Sequence, residues 1–198
     1  MELEFKTERD FMSFREELRK RLMGREIIKI EKFDFIPSAV MILIMNKGNK
    51  AHVFLTKRTS NVRTHKGDVS FPGGAIDKED KDAEAAALRE TCEEAGISQD
   101  RIEMLGQFDD FFSITGFHVS TFVGIIDYPY KYEINRDEIE TCLEAPLSMF
   151  YNREYDRIEN YEFQGKDIEV YYYSYDGFVI WGLTARILTD FGHRVLKD

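Results

Sequence analysis

Three glutamates lie within five residues near the middle of the chain: Glu90, Glu93 and Glu94. The residues around them, 82–95, are rich in alanine and are followed by Gly96, a pattern that predicts a helix. Positions three and four apart share one side of a helix, so the three carboxylates can converge on one face. Like charges there destabilise a helix unless a cation compensates them, and hard divalent cations prefer oxygen ligands. The stretch therefore predicts a site for Mg²⁺ or Mn²⁺.

Two glycines and an arginine accompany the acidic stretch. Gly73 and Gly74 lack a Cβ, so their backbone can approach a bound ion or substrate closely. We expect Gly73 beside the metal and Gly74 beside the substrate. Arg89 stands four residues before Glu93 and is placed to tether that carboxylate.

A group of cations precedes the glycines in a chain that is otherwise acidic. Arg58, Arg63 and Lys66 lie within nine residues, and arginine can grip a phosphate through two parallel hydrogen bonds. Each alone would be an ordinary surface charge, but together they predict contacts to a pyrophosphate. Phe71 is either a core residue or part of the pocket wall.

Composition limits the classes of function. The chain has 198 residues, of which 43% are hydrophobic and 14% aromatic, as in a globular protein with a sizeable core. Its net charge of −10 makes a nucleic-acid binder unexpected, since that role needs a basic face. The start is charged from Glu2 onward and the longest apolar run, 39–45, is too short to span a bilayer, so we expect a cytoplasmic protein with no membrane partner.

The remaining elements follow from periodicity and turn residues. An amphipathic helix is predicted over 8–23, and a hairpin of strands over 37–45 and 51–56. Further strands are predicted over 102–105, 117–126 and a tyrosine-rich hairpin at 161–175, with helices over 138–143 and 184–191. Helices and strands mixed without regular alternation indicate an α+β fold or an α/β/α sandwich.

The acidic stretch resembles a Nudix box over Gly74 to Ile97. The pattern of that family is a glycine, five residues, a glutamate, seven residues, and then Arg-Glu-apolar-x-Glu-Glu-x-Gly-apolar. The second half matches at Arg89, Glu90, Glu93, Glu94, Gly96 and Ile97. Asp80 stands where the first glutamate is expected and is separated from Arg89 by eight residues, and Thr91 fills an apolar position. We assign Asp80 no catalytic role.

A second motif is similar to the coenzyme A pyrophosphatase branch of the Nudix hydrolases. It runs from Leu55 through Arg58 and Gly67 to Phe71-Pro72-Gly73-Gly74. The segments 37–40, 135–139 and 180–185 are also similar to members of that branch. The resemblance covers about residues 37–191.

The resemblance implies a fold and a domain division. The expected fold is α+β, a Nudix-type α/β/α sandwich with a mixed β-sheet, plus an N-terminal helix. Residues 1–30 would form a helical arm packed on the Nudix domain at 31–198, and a homodimer is possible.

The implied reaction is metal-dependent hydrolysis of the pyrophosphate bond of coenzyme A or a derivative, giving 3′,5′-ADP and a 4′-phosphopantetheine product. Glu90 and Glu94 are the expected metal ligands, and Glu93 would be a further ligand or the base for the attacking water. Glu138 is the first candidate for an additional acid from outside the box, with Asp109 and Glu140 behind it. Glu138 is equally well explained as a charge at a helix N-terminus.

Two alternatives remain open from the sequence. Because the box is generic, the substrate could be another nucleoside diphosphate derivative, such as ADP-ribose or NADH. A module that binds a nucleotide without catalysis is the other, although such a module would be expected to lose at least one of the acids.

Overall fold

The computed structural model describes residues 1–30, 34–60, 67–163 and 165–197. Ten strands and four α-helices occupy these residues. The helices are α1 (Glu8–Met23), α2 (Ala83–Ala95), α3 (Leu147–Tyr151) and α4 (Gly182–Phe191). The strands are β1 (Ile36–Lys47), β2 (Lys50–Arg58), β3 (Val69–Ser70), β4 (Gly73–Ala75), β5 (Ile102–Phe112), β6 (Phe117–Ile126), β7 (Ile139–Pro146), β8 (Arg157–Phe163), β9 (Lys166–Tyr175) and β10 (Phe178–Trp181).

Seven of the strands form one mixed sheet around β1. Its order is β3-β2-β1-β6-β5, with β4 paired to β1 and β7 paired to β2. The β1–β6 pair is parallel, and the other pairs are antiparallel. One edge of β1 is shared, because β2 pairs with its C-terminal half and β4 with residues 38–40. This sharing brings the glycine turn against the centre of the sheet.

Helices cover both faces of the sheet. The side chains of α1 and α4 pack into the larger hydrophobic cluster, and α2 packs through Ala86, Ala87 and Ala95 into the second cluster. Alternate residues of β1 serve the two clusters, with Ile42 and Ile44 on one side and Met41 and Met45 on the other. The mixed sheet between helices confirms the predicted α+β sandwich with an N-terminal helix.

The N-terminal helix begins at a capping box. The Thr7 side chain accepts from the Asp10 backbone N–H, and the Asp10 side chain accepts from the Thr7 N–H. Its apolar face, predicted from the spacing of Phe11, Phe14 and Leu18, is buried in the larger cluster. The division into an arm at 1–30 and a domain at 31–198 stays a prediction.

Two predicted elements differ from the structure. The helix predicted over 138–143 is wrong, because residues from Ile139 onward form β7, which pairs with β2. Ile139 and Leu143 are four apart, a spacing that fits one face of a helix and also one face of a strand. The strand predicted at 102–105 continues to Phe112, through two register irregularities against β6.

A second sheet carries the tyrosine-rich segment. It has three antiparallel strands in the order β10-β9-β8, so the predicted hairpin at 161–175 is present. Tyr173 and Ile180 are buried in the larger cluster with α4, and Tyr173 shares a 2.8 Å hydrogen bond with Thr189. Glycine at position 182, with φ +62, turns the chain from β10 directly into α4. None of the helices in the described ranges is long and apolar enough to cross a membrane.

Candidate active site

The helix that carries the glutamates is fixed at both ends. Asp82 caps α2 by accepting from the Ala85 N–H at 2.9 Å, and Gly96 ends it in the left-handed conformation. Ala86 and Ala87 pack against the sheet, and Glu90 and Glu94 follow Ala86 at four-residue intervals, on the same side of α2, which contacts both β1 and β4. Glu90 and Glu94, one turn apart on that side, line a cavity of about 380 Å³.

Glu94 is the most buried acid of the cavity, with 2% of its surface exposed. Its Oε1 accepts from Arg58 Nη1 at 2.9 Å, and its Oε2 accepts from the Gly73 N–H at 3.3 Å. Burial raises the pKa of Glu94 to about 7 even though the Arg58 guanidinium lowers it, and the charge of Glu90 raises it further. The site therefore holds a carboxylate whose negative charge is poorly compensated by the protein alone.

Glu90 lies against the glycine turn. A Cβ at Gly74 would be 2.5 Å from the Glu90 carboxyl carbon, so only glycine leaves room for this carboxylate. A Cβ at Gly73 would instead lie 2.4 Å from the Ala39 carbonyl oxygen of β1. Burial raises the pKa of Glu90, opposed by Arg89. Glycine is therefore needed at the two positions for different reasons. At Gly73 it allows β4 to pack on β1, and at Gly74 it makes space for the Glu90 carboxylate.

Arg89 links the acids of the box. Its Nη1 donates to Glu90 at 2.8 Å and to Glu93 at 3.1 Å, which confirms the tether predicted from the four-residue spacing. Its Nε and Nη2 donate to the two oxygens of Asp80 at 2.9 and 2.8 Å. Hydrogen bonding to Asp80 raises the pKa of Arg89, so it remains charged. Asp80 therefore fixes Arg89.

The other predicted residues are distributed unevenly. Arg58, Phe71 and Glu138 line the cavity with the two glutamates, whereas the Glu93 side chain is 58% exposed and does not. Glu138 precedes β7 and its Oε2 lies 3.8 Å from Arg58 Nη2. Arg63 and Lys66 lie outside the described residues.

Asp109 and Glu140, the two other candidates for an additional acid from outside the box, lie outside the cavity. Asp109 of β5 is buried and forms ion pairs with Arg25, at 2.7 Å, and with Arg194, at 2.9 Å. These pairs hold the segments that follow α1 and α4 against β5. Glu140 pairs with Lys57 at 2.9 Å, outside the cavity. Glu138 alone of the three lies in the cavity wall.

The donor set fits a hard divalent cation. Two neighbouring carboxylates are desolvated and repel each other, and a bound cation would relieve both penalties. In the described part of the chain, no group of three or more acidic, histidine or cysteine side chains is arranged to hold a metal ion by itself. Mg²⁺ commonly completes its shell with water and substrate phosphate, so an incomplete protein shell suits a substrate-bridging ion.

The comparisons with known proteins agree with this arrangement. The family model described as the NUDIX domain matches residues 35–163. This chain belongs to the Nudix hydrolase family. Members of that family act on nucleoside diphosphate derivatives and generally require divalent metal ions.

Relatives at high coverage carry the same family name. An "Uncharacterized Nudix hydrolase NudL" of Enterobacter sp. (strain 638) is 33% identical over 186 residues, 94% of this chain and 93% of the relative. The protein of that name in Escherichia coli (strain K12 / DH10B) is 33% identical over 172 residues, 86% of this chain and 88% of the relative. The solved MutT/nudix family protein from Enterococcus faecalis has a TM-score of 0.51 at 18% identity, over 98% of this chain and 76% of its own, and supports the fold.

One wall of the cavity was missed as a site from the sequence. It is lined by Phe117 and Val119 of β6 and by Leu183, Thr184 and Ile187 of α4. The segment 180–185 resembled the coenzyme A pyrophosphatase branch, but no residue of it was assigned a role. Apolar residues at strand and helix spacing predict core packing equally well, so only the tertiary fold distinguishes a pocket wall from core.

Proposed function

We propose that this protein is a Mg²⁺- or Mn²⁺-dependent diphosphatase of coenzyme A or its derivatives, releasing 3′,5′-ADP and a 4′-phosphopantetheine product. The observation that carries the proposal is the cavity in which Glu90, Glu94, Arg58 and Glu138 meet beside the glycine turn. Its position at the end of the motif from Leu55 to Gly74, which resembles the coenzyme A pyrophosphatase branch, supports coenzyme A as the substrate.

Glu90 and Glu94 would hold the metal in this proposal. The Gly73 N–H donates to Glu94, so Gly73 lies next to this pair of carboxylates. When bound, a divalent cation neutralises charge on the diphosphate oxygens and supplies an activated water. Arg58 orients Glu94 through its 2.9 Å ion pair, and this contact makes it a positioning residue in addition to a predicted substrate contact.

Glu138 is our candidate for the base that takes a proton from the attacking water. Its carboxylate lines the cavity while 47% of the side chain stays exposed, so it can exchange protons with solvent. Glu93 is a weaker candidate because Arg89 already binds it outside the cavity wall. Glu138→Gln is expected to lower kcat more than tenfold, and Glu93→Gln to lower it less. The reverse order would assign the base to Glu93.

A substrate panel tests the proposed function. Purified protein is incubated with coenzyme A, ADP-ribose or NADH in the presence of Mg²⁺ or Mn²⁺, and products are separated by chromatography. We expect 3′,5′-ADP from coenzyme A at a kcat/KM at least tenfold above those of the other two substrates. Intact coenzyme A after prolonged incubation with Mn²⁺ would refute the proposal, and cleavage of ADP-ribose or NADH instead would select the generic alternative.

A further inference from the structure

The cavity is lined by two chemically different sets of residues. Beside the acids stand six apolar residues, here called the apolar wall: Val40, Phe71, Phe117, Val119, Leu183 and Ile187. These residues come from β1, the segment after β3, β6 and α4. Metal binding and phosphate binding require none of them. Phe71, Val119 and Ile187 are already buried in the larger cluster. Val40, Phe117 and Leu183 are only partly buried, so they are the apolar surface that a further part of the substrate would cover.

Thr184 interrupts this wall with a single hydroxyl. The residue is 8% exposed and lines the cavity, and its hydroxyl has no hydrogen-bond partner among the described residues. Thr189, five residues further along the same helix, is fully satisfied, since it donates to the Ala185 carbonyl oxygen at 2.7 Å and bonds Tyr173. The oxygen is not one of the buried unpaired side-chain atoms of the described residues, so it is open to the cavity. A bound molecule can therefore hydrogen-bond Thr184 in place of water.

The start of α4 adds donors at the same place. Trp181 at its N-cap position provides no side-chain hydrogen bond, so the first backbone N–H groups of α4 are not capped by this residue. Leu183 and Thr184 belong to that first turn and line the cavity. The wall thus offers apolar contact with a few hydrogen-bond donors, which suits an amide-containing chain.

Charge argues against a second phosphate or a sugar at this wall. Among the described residues that line the cavity, Arg58 is the one cation, and it is bound to Glu94. A ribose would bury several hydroxyls, each of which needs a partner. Of the three serines that line the cavity, Ser38 donates to the His118 carbonyl oxygen at 2.9 Å and Ser113 bonds Thr115 Oγ1 at 2.8 Å, which leaves Ser70 for a sugar hydroxyl. An uncharged and partly apolar arm loses least on transfer to this surface.

We propose that the apolar wall, with Thr184 as its hydrogen-bonding point, binds the uncharged amide-containing arm that a coenzyme A-like substrate carries beyond its diphosphate. The inference rests on the proposed function and names the residues that select this substrate class over ADP-ribose and dinucleotides. Leu183 and Thr184 are specificity-determining residues in this assignment, and neither takes part in the chemical step.

Two variants test the wall. Leu183→Gln replaces apolar contact with an amide of similar size at a partly exposed position, and Thr184→Val removes the hydroxyl while keeping the shape. Met12→Gln is the matched control, an exposed apolar residue on α1 outside the cavity. Dissociation constants for 4′-phosphopantetheine and for 3′,5′-ADP are measured by calorimetry with Mg²⁺, next to KM and kcat for coenzyme A.

The expected result is a loss confined to one product. Leu183→Gln should weaken 4′-phosphopantetheine binding and raise KM about tenfold, and Thr184→Val about fivefold, with kcat within twofold and 3′,5′-ADP affinity unchanged. Unchanged 4′-phosphopantetheine affinity in both variants overturns the assignment, and so do equal losses for both products.

The wall and the proposed function fail in distinguishable ways. Wild-type protein that cleaves coenzyme A while both variants bind 4′-phosphopantetheine normally overturns the wall alone. Wild-type protein that leaves coenzyme A intact overturns the proposed function. In that case the calorimetry still decides the wall, because binding that is absent or independent of Leu183 and Thr184 overturns it.

Discussion

At Glu94, substitution by glutamine separates the charge of the side chain from its shape. Glu94→Gln keeps an oxygen for Arg58 but removes the negative charge that the proposed metal site requires. We expect kcat to fall at least a hundredfold. The free energy of unfolding should change by only about 1 kcal/mol, because one weak contact to the Gly73 N–H is lost.

The control for this prediction lies on the same helix. Glu84 is exposed in the first turn of α2, so Glu84→Gln should leave kcat within twofold. Steady-state kinetics and thermal melting by circular dichroism measure both variants. Activity above a tenth of wild type in Glu94→Gln would remove this residue from the proposed metal set.

Residue-level prediction succeeded where spacing alone determines geometry. The four-residue separations in 89–94 placed Glu90 and Glu94 on one side of α2 and Arg89 within reach of Glu93. Thr91, unexpected in an apolar position, is fully buried, and its hydroxyl donates to the Ala87 carbonyl oxygen at 2.7 Å. The helix backbone thus satisfies the hydroxyl, which only the structure makes visible.

At the level of elements, β4 joins the site to the sheet through two glycines with different constraints. Gly73→Ala would force a Cβ into the backbone of β1 at φ +153, with no flexible group to yield. Gly74→Ala would meet the end of the Glu90 side chain, which can move aside. We expect the first variant to lose about 3 kcal/mol of unfolding free energy, and the second to remain folded but lose at least tenfold in kcat.

Urea denaturation and kinetics on the two alanine variants check this pair, each acting as the control for the other. Equal stability of Gly73→Ala and wild type would contradict the packing argument. Full activity in Gly74→Ala would show that Glu90 does not need its observed position.

Elements were predictable where one signal was unambiguous. The amphipathic α1 and the alanine-rich α2 have periodicities that no strand shares. The helix predicted over 138–143 was wrong because the spacing of Ile139 and Leu143 fits a helix as well as a strand. The strand forms because β2 offers an edge with which β7 can pair. The extension of β5 was missed because Gly106 and the buried Asp109 resemble loop residues, although Arg25 and Arg194 compensate the acid.

For the whole molecule, the metal should matter for activity and little for folding. The two hydrophobic clusters are built from α1, α2, α4 and the sheet, and the proposed ligands lie at the cavity rather than within either cluster. Treatment with EDTA should abolish hydrolysis, and adding Mn²⁺ should restore it. The melting temperature should change by only a few degrees, because the ion stabilises the folded state only through the free energy of its own binding.

Melting curves with and without EDTA, recorded beside activity, make this measurement. Cooperative unfolding on chelation would contradict it and would indicate a structural metal. Undiminished hydrolysis after exhaustive dialysis against EDTA would remove the metal from the proposed mechanism.

Homodimerisation and a cytoplasmic location stay predictions.

The brevity of β4 has a consequence for how the active site moves. Three residues pair with β1, flanked by backbone hydrogen bonds from Met41 to Pro72 and from Ile76 to Pro37. So short a strand can detach by local opening, at far lower free energy than global unfolding. Bonds from Gly73 to Glu94 and from Arg89 to Ala75 are what hold it to α2. The rate of amide hydrogen exchange in β4 should therefore report whether the acids of α2 are engaged, and slow when Mg²⁺ binds.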